Sequence, residues 1–186
     1  MTPTISGTLY HRPASSVRGD SILPLTALRR AHPDLYDLHA AKYAAQPGVL
    51  GQVIEPLGCT WGDVVFLSPV HPAPLFAALA RAGRIVPESE PWVIPARRLN
   101  PARTVIRLMR AGTTGHHPDP HDSYDYLPFT TASLRAVNRV TVDAVQRLES
   151  LRPGDPWLPW VDVPHVLHRG EIPLDWFSSR PGALDH

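Results

Sequence analysis

The clearest pattern of hydrophobic and polar positions lies in the middle of the chain. Residues Val64–Leu67 form a short continuous apolar run between polar positions, which predicts a strand buried on both faces. After a proline-rich elbow, apolar residues recur at helical spacing from Leu75 to Ala82, until Gly83 ends the predicted helix. The elbow contains Ser68 and His71 directly after a buried strand, a position that often binds a ligand in α/β proteins.

Shorter apolar runs predict four further stretches of strand. They are Thr8–His11 near the N-terminus, Trp92–Ile94 and Thr104–Met109 after the central helix, and the aromatic and β-branched stretch Trp157–Leu167, interrupted at Pro164. The chain has 22 prolines and 12 glycines, so we expect short elements joined by rigid, irregular loops.

Helical periodicity appears in three other places. One helical segment begins near Ser21, a second follows Pro33, and the strongest pattern predicts a single helix from Ser133 to Leu151, ended by Pro153-Gly154. Residues 49–61 fit either a short helix or an irregular packed segment, because proline and glycine interrupt the apolar pattern there.

Length and charge limit the classes of protein that this chain can be. At 186 residues it is long enough for one domain, which we expect to cover residues 1–186. The formal net charge of +1 gives no overall basic surface for nucleic acid. A local basic patch remains, with Arg97, Arg98, Arg103 and Arg107 as candidate contacts to DNA or RNA, or alternatively as a solvated strand edge.

Cysteine usage and hydropathy indicate the compartment. Cys59 is the sole cysteine and so forms no internal disulfide. The chain shows neither a charged and then apolar leader nor an apolar run of about 18 residues, which is the length that crosses a membrane. The sequence therefore predicts a soluble cytoplasmic protein without membrane contact.

A loop between residues 112 and 126 concentrates potential metal ligands. His116, His117, Asp119, His121 and Asp122 lie within seven residues, and imidazole and carboxylate groups bind zinc, nickel or iron. A solvated loop, or one that covers a pocket, is the alternative, and we predict no metal site. The common nucleophile, P-loop and dinucleotide-binding motifs are missing, which disfavours hydrolase, kinase and Rossmann functions.

Three short motifs, taken in order, resemble a known family. The opening Leu9-Tyr10-His11 strand, the central Val64–Ser68 strand with its proline elbow, and the closing run into Glu171-Ile172-Pro173 resemble the DarT-type DNA ADP-ribosyltransferases. The resemblance implies an α+β fold of the ADP-ribosyltransferase type, in which two small, mainly antiparallel sheets form a central cleft with flanking helices. It also implies NAD as the cofactor.

The same resemblance implies roles for individual residues. In that family the closing strand has a catalytic glutamate shortly before the Ile-Pro pair, and here Asp162–His165 occupies that place, with Glu171 in the following turn. The implied catalytic residues are His165, Glu171 and Lys42, and the implied cofactor-binding residues are His11, Arg12, Ser16, Ser68 and His71.

These residues lead to one main functional hypothesis and three alternatives. The main one is an NAD-dependent ADP-ribosyltransferase-like enzyme that modifies a nucleic-acid base or another macromolecule. One alternative is a non-catalytic module that binds a nucleotide or nucleic acid. Another is an RNA 2′-phosphotransferase-like enzyme on the same fold, in which His11, His165, His168 and Arg169 meet a phosphorylated RNA end. A metal-assisted enzyme built on the 116–122 loop is the last.

Overall fold

A computed structural model describes residues 4–13, 17–45, 47–86, 90–108, 125–155, 160 and 162–178. Within these ranges the chain forms short elements throughout. The strands are β1 (Thr8–His11), β2 (Ser21–Ile22), β3 (Val53–Ile54), β4 (Cys59–Thr60), β5 (Val64–Leu67), β6 (Trp92–Pro95), β7 (Thr104–Arg107), β8 (Tyr126–Pro128), β9 (His165–Arg169) and β10 (Ile172–Pro173). The α-helices are α1 (Leu25–Ala31), α2 (Pro33–Ala40), α3 (Ala73–Arg81), α4 (Thr131–Val137) and α5 (Val142–Glu149).

The largest sheet has four antiparallel strands in the order β5-β9-β7-β8. β1 and β6 form a separate antiparallel pair, which meets the large sheet at one point. There Tyr10 and Ser68 exchange two backbone hydrogen bonds of 2.8 Å, so β1 lies antiparallel to the residue that follows β5. β2 pairs with β10 and β3 with β4, again antiparallel. The predicted α+β class with small antiparallel sheets is confirmed.

One apolar cluster packs the two-stranded pair against the four-stranded sheet, and another packs two helices together. In the first, Leu9 and Ile94 of the small pair pack with Ile106 and Val166 of the four-stranded sheet, all fully buried. In the second cluster, α3 packs on α5, with Leu79 and Leu148 among its members. Continuous burial explains why the central strand has no alternation of apolar and polar residues.

Most of the predicted elements are present, with two errors. The helical segment predicted to begin near Ser21 starts later, because Ser21–Ile22 forms β2 and α1 begins at Leu25. The strands predicted at Thr8–His11 and Val64–Leu67 and the central helix are confirmed. The single helix predicted from Ser133 to Leu151 is wrong, because α4 ends at Val137 and α5 starts at Val142. The Thr141 hydroxyl accepts a hydrogen bond from the backbone N–H of Ala144 at 3.2 Å and so caps a new helix.

The closing strand begins later than the apolar run suggests. β9 starts at His165, directly after Pro164, and part of the predicted Trp157–Leu167 stretch lies outside the described residues. None of the helices in the described ranges has the length and hydropathy needed to cross a bilayer.

Candidate functional site

A cavity of about 440 Å³ opens between the end of β1, the β2 segment, helices α1 and α2, and strand β5. This volume lies within the range of about 300–1,000 Å³ that is typical of small-ligand sites. We call it the His11 pocket. It is lined by His11, Arg12, Pro13, Val17, Arg18, Ser21, Ile22, Leu23, Pro24, Leu25, Leu28, Leu35, His39, Lys42, Tyr43, Val64, Val65 and Phe66.

His11 is positioned by both sheets. It is the last residue of β1, and its Nδ1 lies 2.9 Å from the backbone carbonyl oxygen of Phe66 in β5. A carbonyl only accepts hydrogen bonds, so Nδ1 carries the proton and Nε2 is left as an acceptor. Burial lowers the pKa of His11, more than the Phe66 carbonyl raises it, and the Lys42 charge lowers it slightly further. His11 is therefore a neutral hydrogen-bond acceptor near pH 7.

The wall opposite His11 comes from α2 and the turn that follows it. His39 lies near the end of α2, and Tyr43 follows one helical turn later, so both point to the pocket side. The Tyr43 hydroxyl accepts a hydrogen bond of 3.1 Å from the indole N–H of Trp61, and the Lys42 ammonium lies 4.9 Å from the Tyr43 ring centroid. Burial, and then the Lys42 charge, lower the pKa of His39. This wall is aromatic and carries one cation.

The charge around the pocket has a single sign. Among the described residues, its lining includes Arg12, Arg18 and Lys42 and contains no aspartate or glutamate. Within the described ranges Arg12 and Lys42 form no salt bridge, whereas Arg18 is paired with Asp34, which lies outside the lining. Positive groups around a partly apolar cavity attract an anion, because the low-dielectric walls strengthen the field inside. The pocket is therefore suited to a ligand that is both aromatic and phosphorylated.

A stack of side chains lies behind the pocket. Phe66 contacts Trp61 with ring centroids 4.6 Å apart, and the guanidinium of Arg107 lies 4.6 Å from the Trp61 ring centroid on the sheet side. His165 meets Phe66 edge-on at 6.1 Å. Burial and the neighbouring Arg107 charge lower the pKa of His165 to about 3, so this imidazole stays neutral at physiological pH. His165 is not among the pocket-lining residues.

Ser68 and His71 lie elsewhere. The buried Ser68 hydroxyl donates to the carbonyl oxygen of Val70 and accepts from the N–H of Val70, at 2.9 and 3.0 Å. His71 Nδ1 accepts a hydrogen bond of 3.1 Å from the backbone N–H of Ala73, and its ring packs edge-on against Tyr10. His71 lines a second, smaller cavity of about 350 Å³ with Tyr10 and Arg135. Both residues shape the elbow, and neither borders the His11 pocket.

The remaining predicted catalytic and cofactor-binding residues do not all lie at the pocket. His11, Arg12 and Lys42 meet at the pocket. Glu171 is exposed in the turn between β9 and β10, and the strand that follows it pairs with β2 in the pocket wall. Ser16 lies outside the described residues.

The basic patch is not assembled as the sequence suggested. Arg97 and Arg98 are exposed, but Arg107 is only 2% exposed. Its inclusion among surface contacts to nucleic acid is wrong, because β7 is an interior strand whose end faces Trp61. Arg103 packs on the turn at Gly170, where an added Cβ would lie 2.3 Å from its guanidinium. Arg97, Arg98 and Arg103 are exposed and remain available as surface cations from this set.

Metal ligands do not gather in the described part of the chain. No group of three or more histidine, cysteine, aspartate or glutamate side chains there is placed to hold a metal ion. The predicted ligand cluster at 116–122 lies outside the described residues.

Several residues that line the pocket were not predicted from the sequence as site residues. Arg18, His39 and Tyr43 all line it. The spacing of His39 and Tyr43, four residues apart after Pro33, was the one available indication that two polar rings share a helix face. Arg18 lies in a short irregular segment, and no spacing or periodicity around it predicts that it lines the pocket.

Comparison with protein-family models, with curated proteins and with solved structures finds no match to this chain. The site is therefore interpreted from its own residues.

Proposed function

We propose that the chain is an NAD-dependent ADP-ribosyltransferase-like enzyme, and that NAD binds in the His11 pocket. The observation that supports this most is the lining itself. A neutral imidazole, an aromatic wall and two cations that form no salt bridge within the described ranges, Arg12 and Lys42, border one cavity of about 440 Å³. NAD combines planar rings, ribose hydroxyls and a pyrophosphate, and each of these has a matching group in that lining.

The pocket residues have separate roles in this proposal. His11 Nε2 accepts a hydrogen bond from a ribose hydroxyl, because its Nδ1 is already committed to the Phe66 carbonyl at 2.9 Å. Arg12 and Lys42 bind the pyrophosphate, since neither is neutralised by a salt bridge within the described ranges. Tyr43 and Phe66 offer ring faces for the nicotinamide or the adenine.

The reaction would be a displacement at the anomeric carbon of the nicotinamide ribose. The bond from this carbon to the nicotinamide nitrogen breaks, and neutral nicotinamide leaves with the electron pair. A nucleophile of the acceptor, a nucleic-acid base or another macromolecule, forms the new bond and loses its proton to solvent. Positive charge develops on the ribose in the transition state, so a nearby carboxylate would accelerate the step. Glu171 is the candidate, because it directly precedes the strand that pairs with β2.

The test uses NAD labelled in its adenylate phosphate, incubated with single-stranded DNA, with RNA, or with no acceptor. We expect nicotinamide release together with label transfer to one acceptor. Glu171→Gln should lower the rate of nicotinamide release at least about tenfold, because oriented electrostatic groups contribute that much or more to catalysis, while NAD affinity is unchanged. Absence of NAD consumption with every acceptor would contradict the transferase proposal.

A second candidate is favoured by one observation, the absence of a carboxylate from the described pocket lining. An RNA 2′-phosphotransferase-like enzyme meets a phosphorylated RNA end with cationic and imidazole groups, and His11, Arg12 and Lys42 would serve that purpose. In this case a 2′-phosphorylated oligoribonucleotide binds more tightly than its unphosphorylated counterpart. Equal affinity for the two oligoribonucleotides would exclude this candidate.

A further inference from the structure

One pocket cation is neutralised by a carboxylate that lies outside the pocket lining. The Arg18 guanidinium donates two parallel hydrogen bonds to Asp34, from Nη1 to Oδ1 at 2.8 Å and from Nη2 to Oδ2 at 2.6 Å. Arg18 belongs to the segment that leads into β2, and Asp34 lies in the first turn of α2. The ion pair therefore links two walls of the His11 pocket.

This ion pair is weak enough to exchange partners. The two side chains are 52% and 58% exposed, and exposed pairs contribute little to stability because water screens their attraction. A phosphate offers the guanidinium the same two-pronged geometry with a larger charge. Arg12 and Lys42 also line the pocket, so an anion there meets three cations.

Asp34 is also able to lose its partner at low cost. The Arg18 hydrogen bonds are the main reason that the pKa of the Asp34 carboxyl is lowered, but the backbone N–H groups of Asp34 and Leu35 contribute as well. They belong to the first turn of α2, where the helix dipole favours negative charge. The freed carboxylate would remain stabilised by the helix and by water.

We propose that a phosphate group of the pocket ligand displaces Asp34 from Arg18, so that Asp34 is an internal competitor which lowers the affinity of the pocket for nucleoside diphosphates but not for monophosphates. A monophosphate is neutralised by Arg12 and Lys42, whereas a second phosphate has to recruit Arg18. This inference deepens the proposed function and rests on it only for the nucleotide nature of the ligand.

The first test compares adenosine, AMP and ADP on the full chain by calorimetry. Asp34→Asn should tighten ADP binding about fivefold, the upper range for an exposed ion pair, and leave adenosine unchanged. Asp37→Asn, which makes the same charge change at another exposed position of α2, should alter ADP affinity less than about twofold. Weaker ADP binding by Asp34→Asn would overturn the proposal, since Asp34 would then position Arg18.

A double-mutant cycle separates competition from simple repulsion. In an Arg18→Ala background, Asp34→Asn should tighten ADP binding by less than about twofold, because Asp34 then has no cation to withhold. An equal gain in both backgrounds would mean that Asp34 only repels the anion, and the proposal would fail.

A measurement without any nucleotide distinguishes this proposal from the proposed function. Inorganic pyrophosphate should raise the pKa of Asp34, followed by its carboxyl NMR signal, because the carboxylate loses Arg18 and gains an anionic neighbour. If pyrophosphate has this effect but NAD does not bind, the transferase proposal fails and this one stands. If pyrophosphate leaves the Asp34 pKa unchanged, or does not bind, this proposal fails whatever NAD does.

Discussion

The same two residue types, histidine and arginine, occupy opposite environments at the His11 pocket and in the four-stranded sheet. At the pocket, His11, Arg12 and Arg18 border the cavity. Within the sheet, Arg107 and His168 are 2% and 3% exposed. The difference shows that the end of β1 and the segment after it leave these side chains at a cavity, whereas β7 and β9, the two inner strands of the four-stranded sheet, bury them as structural groups.

The buried set, which consists of Arg107, His165 and His168, makes specific contacts within the sheet. His168 Nδ1 lies 2.8 Å from the Thr104 hydroxyl, a partner from the neighbouring strand β7. Arg107 is stacked on Trp61, and His165 is packed against Phe66. We therefore expect changes in the buried set to alter folding stability and changes in the pocket set to alter ligand affinity.

The largest expected effect is the loss of stability in acid. Burial lowers the pKa of His165 to about 3 and that of His168 to about 4, whereas unfolded histidine titrates near 6.5. Below pH 6.5 the unfolded chain binds protons that the folded chain does not, so stability falls as the pH is lowered toward 4. Each histidine should contribute a loss of about 2 kcal/mol by pH 5. Urea unfolding between pH 5 and pH 8 measures the loss.

Two variants assign this pH dependence to the buried set. His165→Gln should remove about 1.5 kcal/mol of the loss in stability between pH 6.5 and pH 5, whereas the exposed His71→Gln should leave it unchanged. If the free energy of unfolding of His165→Gln depended on pH as steeply as that of the wild type, the assignment of His165 to the interior would be wrong.

The next effect concerns arginine. Arg107→Ala should lower the free energy of unfolding by about 3 kcal/mol, because it removes a buried side chain and its cation–π contact with Trp61. Arg97→Ala, at an exposed position, should change stability by less than about 0.5 kcal/mol. Urea unfolding followed by tryptophan fluorescence measures the free energy of unfolding of each variant. Equal losses for the two variants would contradict the difference between buried and exposed arginines.

The smallest change in stability is expected at the pocket. Lys42→Ala should leave the free energy of unfolding within about 0.5 kcal/mol of the wild type, because Lys42 is exposed and its ammonium lies over the Tyr43 ring without being buried in the core. The same variant should weaken NAD binding and reduce its dependence on salt, since one phosphate contact is lost. A salt dependence identical to that of the wild type would remove Lys42 from the phosphate site.

How far the sequence could predict this molecule depends on the range of the interactions involved. Local patterns sufficed for β1, β5 and α3, where apolar runs and capping residues lie close together in the chain. The split between α4 and α5 was missed because the Thr141 hydroxyl cap competes with a continuous apolar stripe. Periodicity alone does not show which of the two prevails.

The site was partly predictable for the same reason. The strand-end position of His11 was visible in the sequence, but its neighbours were not. The contact with Phe66 spans 55 residues and the contact between Tyr43 and Trp61 spans 18, so both depend on the tertiary fold. His71 looked equivalent to His11 from sequence, yet its ring nitrogen is used by the N–H of Ala73 at the start of α3.

The most direct test of the central claim is calorimetric titration of NAD into the wild type, His11→Ala and His71→Ala, with melting temperatures confirming that all three are folded. We expect micromolar NAD binding by the wild type, retained NAD binding by His71→Ala and loss of NAD binding in His11→Ala. No binding of NAD to the wild type up to millimolar concentration, or retained binding by His11→Ala with loss in His71→Ala, would contradict the central claim.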